Sequence, residues 1–253
     1  MTYHLKDKTI LVTGASDGIG QAVAAALGAE QANVILLGRN EAELAVTQSK
    51  VEELGGRALA VPFDLLQFED YGKLFLALKD QVPHLDGLVH CAGDLTRCTP
   101  MVHVETEAFR KMLDIHLTAP NMLTKMMMPL FKRAEAASII FTGCDMMEED
   151  QAHWHGYGLA KRAMPYVAAM WQAENPNKTY RFNTLNPGRT RTELFKKAFP
   201  GLHGRHVPAP VQVAPAYLHL LSDASQDIRG QSLNAVDILP DLKNYIAPEA
   251  DAT

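Results

Sequence analysis

Short apolar runs alternate with amphipathic stretches of helical length from one end of the chain to the other. TILVT (9–13), NVILLG (33–38), RALAVPFD (57–64), DGLVHCAG (86–93), SIIFTG (138–143), RFNTLNPG (181–188) and QSLNAVDI (231–238) have the length of strands. Their apolar residues stand largely side by side. A strand buried on one face alternates apolar with polar residues, whereas near-continuous runs mean burial on both faces. Between them, patterns near 18–31, 40–54, 67–80, 105–133, 155–174 and 210–222 repeat at the helical period. This alternation predicts an α/β fold: a doubly wound parallel sheet of about seven strands, Rossmann-type, with right-handed crossovers and helices on both faces. No repeat, low-complexity block or linker divides the chain, so residues 1–253 are expected to form a single dinucleotide-binding domain. The one long irregular connection, 189–209, is expected to be a substrate loop, because long connections in compact domains are usually functional. Residues 247–253 read as a loose tail.

Composition narrows the function without choosing it. Hydrophobic residues make up 47% and charged residues 21%, with a net charge of −5, an ordinary globular balance. Acidic and basic residues are interspersed, and no Lys/Arg cluster is dense enough to track a phosphate backbone, so no nucleic-acid partner is expected. Cys91, Cys98 and Cys144 form neither a disulfide framework nor a paired zinc motif, which points to a reducing cytoplasm. His153 and His155, near Cys144 and Asp145, match no common zinc spacing, and no metal is expected. The N-terminal apolar run is too short for a signal peptide or a span. The most apolar helical stretch, MLTKMMMPLF, is broken by Lys125 and Pro129, so no membrane contact is expected either.

Candidate chemistry begins where the first strand runs into Thr13-Gly14-Ala15-Ser16-Asp17-Gly18-Ile19-Gly20 and then a helix. Glycines there permit a tight turn and the close approach of a diphosphate, and the helix N-terminus faces the anion with free N–H groups. At the end of the second strand an acidic residue would hold a ribose 2′-hydroxyl. This chain has Gly38-Arg39-Asn40 instead, and a guanidinium pairs well with a 2′-phosphate, so NADP(H) is favoured over NAD(H). Asp17 acts against that preference by adding negative charge in the loop. Further on, Tyr157 and Lys161 stand four residues apart, which places phenol and amine on one helical face.

Taken together, these residues resemble the short-chain dehydrogenase/reductase family over nearly the whole chain. The stretch Gly14 to Gly20, with Ser16, Asp17, Gly18 and Ile19, resembles the family's Gly-rich cofactor loop. Asp64-Leu65 resembles the pair that contacts the adenine. His90-Cys91-Ala92-Gly93 stands where the family has Asn-Asn-Ala-Gly, so Ala92 and Gly93 match while the two asparagines do not. Tyr157 and Lys161 match Tyr-x-x-x-Lys. Asn186-Pro187-Gly188, with Thr190 and Thr192, resembles the segment that closes over the nicotinamide. Gly38-Arg39-Asn40, Trp154, NPGRTRT and LLSDAS are similar to a bacterial oxidoreductase subgroup within the family.

The resemblance implies NADP(H)-dependent interconversion of a small-molecule carbonyl and an alcohol by hydride transfer. In that scheme Tyr157 is the general acid, and Lys161 lowers its pKa and holds the nicotinamide ribose. Cys144 takes the place of the family's serine and His116 that of its asparagine. A thiol is a weaker donor than a hydroxyl, so the substrate oxygen is expected to be held less firmly. A homodimer or homotetramer is also implied, through the Met-rich helix in 105–133 and the helix after Tyr157. A second class stays open: a dinucleotide-binding protein with little or no turnover, acting as a redox-responsive interaction module. Phe195, Phe199 and Leu202, with Lys196, Lys197, His203, Arg205 and His206, in the 189–209 loop suit an apolar or an anionic substrate alike.

Overall fold

The computed structural model describes residues 3–144, 152–176, 179–202 and 206–245. Asp145, His203, Arg205 and the 247–253 tail lie outside them. Seven strands form one sheet: β1 (Thr9–Thr13), β2 (Asn33–Gly38), β3 (Arg57–Pro62), β4 (Gly87–His90), β5 (Ala137–Thr142), β6 (Tyr180–Asn186) and β7 (Ser232–Asn234). Their order is β3-β2-β1-β4-β5-β6-β7, and every neighbouring pair is parallel. The helices in the first half of the chain are α1 (Gly18–Ala29), α2 (Glu41–Glu53), α3 (Tyr71–Lys79), α4 (Thr106–Leu113) and α5 (Ala119–Phe131). They are followed by α6 (His155–Ala173), α7 (Glu193–Ala198), α8 (Pro210–Leu221) and the short α9 (Ala235–Ile238).

The near-continuous apolar strands do what their pattern predicts. Along β1, Ile10 and Val12 pack into one core with Val23 and Leu27 of α1 and Tyr217 of α8. Leu11 between them faces the other way, into a second core with Leu74 of α3, Leu123 of α5 and Met164 of α6. The apolar residues along β1 are thus claimed alternately by one layer and the other, and the chain forms a single doubly wound α/β domain. Among the described residues no helix is long and apolar enough to cross a membrane.

Four expectations about the elements need correction. β4 stops at His90, because the next two amides, of Cys91 and Ala92, donate to the Thr13 hydroxyl rather than to a strand. The apolar pattern at 231–238 holds only three strand residues before turning into α9, a length at which helix and strand periods cannot be told apart. The single helical pattern at 105–133 is divided by a π-helical turn, Asp114–Thr118. The irregular segment 189–209 contains α7, whose first turn is capped by the Thr192 hydroxyl accepting from the Phe195 amide at 3.1 Å. Within the Met-rich run, Met112 and Met127 are fully buried core residues.

Candidate active site

The strand order reverses between β1 and β4, so the loops leaving these strands part and open a crevice at their carboxyl ends. The Thr13 hydroxyl ties the two loops together by accepting from Cys91 N at 3.1 Å and Ala92 N at 3.0 Å. Gly14 adopts φ +65°, and a Cβ there would lie 2.7 Å from the Ala92 backbone, so only glycine lets the loops close this tightly. The start of α1 carries no side-chain cap, which leaves its first amides for an anion. Asn40 caps α2 by accepting from Glu43 N at 3.2 Å, which fixes the preceding Arg39 at the rim of the crevice.

A cleft of about 320 Å³ occupies this position. It is lined by the glycine-loop residues Gly14, Ser16, Asp17, Gly18, Ile19 and Gly20, by Arg39, and by Asp64 and Leu65. Cys91, Ala92 and Gly93 form the β4 side, and Pro187, Gly188, Thr190 and Thr192 the β6 side. Tyr157, Lys161, Cys144 and His116 also line it, so the expected cofactor-binding and catalytic residues meet in one place, while His90 does not reach it. Asp17 is held above the usual carboxylate range by burial first and then by Glu193 and Glu43, with Lys197 acting in the opposite direction. Asp64 turns its carboxylate back to accept from Leu66 N at 3.0 Å.

Tyr157 and Lys161 come together on the first turns of α6, both buried. The Lys161 ammonium donates to the Thr142 carbonyl at 2.7 Å and lies 5.8 Å from the centre of the Tyr157 ring. Burial lowers its pKa. His116 sits in the π-helical turn, buried, with its Nε2 2.6 Å from the Asp94 carbonyl oxygen. A carbonyl can only accept, and this contact is far shorter than the 3.4 Å from the Asp94 amide to the same nitrogen, so the geometry favours the hydrogen on Nε2 and the lone pair on Nδ1. Nδ1 is buried and has no hydrogen-bond partner among the described residues. Burial, with the Lys161 charge second, pushes the ring's pKa down to about 3, so the imidazole is neutral.

The two cysteines of the site differ in their surroundings. Cys144 packs against a small apolar cluster of Leu95, Met112, Trp154 and Tyr157. Cys91 lies 3.6 Å from the Thr142 hydroxyl, and burial pushes its thiol up to about 12. His90, in place of the family's first asparagine, is stacked on Phe141 and bonded to the Thr124 hydroxyl at 2.9 Å, inside the core.

Sequence reasoning missed Asp94. Its carboxylate receives Lys111 at 3.0 Å and Lys197 at 2.9 Å. Burial alone would raise its pKa, but hydrogen bonds from Lys197 and Lys111 outweigh it and hold the group near 2. Only the position of Asp94, directly after Cys91-Ala92-Gly93, hinted at the site. Its partners are 17 and 103 residues away.

A glycine-cradled crevice at the switch point of a parallel sheet, beside a buried Tyr–Lys pair, is the build of a short chain dehydrogenase. The sequence pattern of that family, short chain dehydrogenase, matches residues 8–202, and the chain belongs to it. It is 34% identical to the oxidoreductase YciK of Escherichia coli K12 over 234 residues, 91% of this chain and 92% of that protein. A short chain dehydrogenase from Pseudomonas syringae superposes with a TM-score of 0.89 at 36% identity, covering 93% of this chain and 97% of its own. One from Escherichia coli CFT073, complexed with NADPH, gives 0.88 at 34% identity over 93% and 99%. The bacterial oxidoreductase subgroup expected from the motifs is therefore the YciK-like one.

Proposed function

We propose that this protein is an NADP(H)-dependent oxidoreductase that interconverts a small-molecule carbonyl and an alcohol. The observation that carries this reading is the buried Tyr157–Lys161 pair facing the glycine-lined cleft. The residues present fit a dinucleotide: a glycine cradle, uncapped amides at the start of α1 and a guanidinium at the end of β2. Gly14 to Gly20 would hold the diphosphate, Arg39 a 2′-phosphate, Asp64 and Leu65 the adenine. The backbone around Cys91 to Gly93 and the segment Pro187 to Thr192 would hold the nicotinamide half. The NADPH complex of the Escherichia coli CFT073 relative supports NADP(H) over NAD(H). When bound, the nicotinamide supplies or takes up the hydride.

Tyr157 gives its phenolic proton to the substrate oxygen in reduction and takes it back in oxidation. Lys161, held by Thr142, stabilises the phenolate by its charge and anchors the ribose. Cys144 stands where the substrate oxygen needs a donor, and its thiol binds that oxygen more weakly than a hydroxyl would. His116 offers Nδ1 as an acceptor that can orient a water beside Tyr157. Arg189 and Thr190, with Thr192 to Phe195 and Lys197 to Phe199, line the cleft beside Trp154 and are read as its substrate side. Leu159, Tyr166 and Met170, exposed on α6, support a homodimer or homotetramer through this helix.

The second reading, a nucleotide-binding module with little turnover, draws on one observation: Cys144 is packed among apolar side chains where a hydroxyl donor is wanted. NADPH fluorescence titration, run beside turnover on a panel of ketones, aldehydes and quinones, separates the two. Binding with turnover supports the oxidoreductase, and tight binding with none supports the module.

A further inference from the structure

Helix α7 crosses the mouth of the cleft and is fastened at both ends. At its start, the Thr192 methyl lies 3.3 Å from where a side chain on Gly18 would begin, so the helix leads off directly against the glycine loop. Toward its end, Lys197 reaches Asp94 on the opposite wall at 2.9 Å, while Phe199 just beyond packs on Trp154 with ring centroids 5.9 Å apart. The glycine loop and α7 line the same cleft. The Asp94 side chain is itself braced from below by Lys111 of α4 at 3.0 Å. Its main chain does a second thing: the carbonyl receives the His116 Nε2–H at 2.6 Å, while the His116 ring stands edge-on to Tyr157.

We propose that Asp94 is a positioning residue with two arms. Its carboxylate, through Lys197, holds α7 down across the nucleotide cleft. Its carbonyl fixes the His116 ring in the Nε2–H tautomer beside Tyr157. This rests on the reading of the cleft as an NADP(H) site. One residue thereby ties the closed position of α7 to the state of the proton-transfer group. The hydrophobic contact of Phe199 with Trp154 holds the same helix, so the ion pair contributes only part of the closure. Lys197 is 57% exposed and Asp94 21%, which makes the pair a modest and salt-sensitive fastening rather than a permanent one.

The test uses the whole protein loaded with NADPH, its release followed by loss of fluorescence on mixing with excess NADP⁺. Lys197→Met is expected to release NADPH roughly two- to fivefold faster than wild type, the size of one part-exposed ion pair. Lys197→Arg keeps the pair and is expected to match wild type. At about 1 M salt, where charges are screened within ~3 Å, the gap between Lys197→Met and wild type is expected to close, which a purely steric role of Lys197 would not produce. Asp94→Asn is expected to speed release as well, while its main-chain carbonyl is kept, so the His116 ring nitrogen resonances are expected to report the Nε2–H tautomer in this variant as in wild type. Lys197→Met should leave those resonances in place. Lys197 lies on an exposed short helix, so its variants report on the carboxylate arm even where Asp94→Asn does not fold. Wild-type release rates in Lys197→Met at low salt, or an Nδ1–H signature for His116 in the wild-type protein, overturn the proposal. A wild-type protein that takes up no NADPH overturns the cofactor reading itself, and the two failures are thereby distinguished.

Discussion

The ring of His116 meets the ring of Tyr157 edge-on, with centroids 4.8 Å apart and planes at 82°. Gly93 makes this possible, since a Cβ at that position would fall 2.6 Å from His116 Cε1. The histidine is therefore built into the site rather than accommodated beside it. With Nε2–H engaged by Asp94 and Nδ1 unpartnered among the described residues, the proposed role of the ring is that of a neutral acceptor.

A neutral buried imidazole ties stability to pH. The pKa of His116 and that of His90 are both pushed down to about 3, chiefly by burial. In the unfolded chain both return to about 6.5. The unfolded state thus binds more protons across that window, so stability is fully present above about pH 6.5 and is lost as pH falls toward 3. Each ring contributes a slope of up to about 1.4 kcal/mol per pH unit. Urea unfolding midpoints are expected to drop steeply between about pH 6 and 4. His116→Asn should remove part of that slope, and equal slopes for the two proteins would contradict the neutral assignment.

Restoring a hydroxyl at residue 144 tests the weakest point of the proposed chemistry. If the thiol holds the substrate oxygen poorly, Cys144→Ser recovers about 1–3 kcal/mol of transition-state stabilisation. That is roughly 5- to 150-fold in rate. The variant should be measured with and without His116→Asn, since an imidazole suited to a thiol need not suit a serine. Cys144→Ser no faster than wild type on any accepted substrate would make Cys144 a packing residue only, consistent with its apolar neighbours.

The sheet was legible because both faces of it are covered: every residue of β1 is buried, and its central Ile-Leu-Val run, followed at once by a glycine turn, has the length and β-branched content of a buried strand. The cleft was legible because its residues cluster in short segments, such as Gly14 to Gly20 and Tyr157 to Lys161, where spacing carries the geometry. What escaped reading is held by long-range pairs. Lys197 and Asp94 meet across 103 residues, and Thr142 receives Lys161 through its backbone carbonyl, which leaves no trace in residue type. The π-helical turn that aims His116 was equally hidden, because a single widened turn does not change the pattern of apolar positions. Helix α7 was missed because its six residues are too few to show a period.

Cofactor choice rests on Arg39. It is exposed at the cleft rim, so its charge-assisted bond to a 2′-phosphate belongs at the lower end of the range, roughly 1.5 kcal/mol. Arg39→Ala is expected to weaken NADPH binding about tenfold, since 1.4 kcal/mol is a factor of ten. NADH binding should hardly change. Equal losses for both nucleotides, in parallel fluorescence titrations, would remove Arg39 from the 2′-phosphate.

The most direct measurement concerns the phenol of Tyr157. Tyr157→Phe keeps the ring that packs against His116 and Trp154 but removes the proton to be transferred. Single-turnover oxidation of bound NADPH by an accepted carbonyl substrate, followed at 340 nm (roughly the absorbance band of the reduced nicotinamide), isolates the chemical step. Its rate is expected to fall by at least ~10²-fold in the variant, the usual contribution of a general acid, while NADPH affinity stays within about twofold of wild type. A Tyr157→Phe protein that turns over at the wild-type rate would place the acid elsewhere and contradict the proposed site.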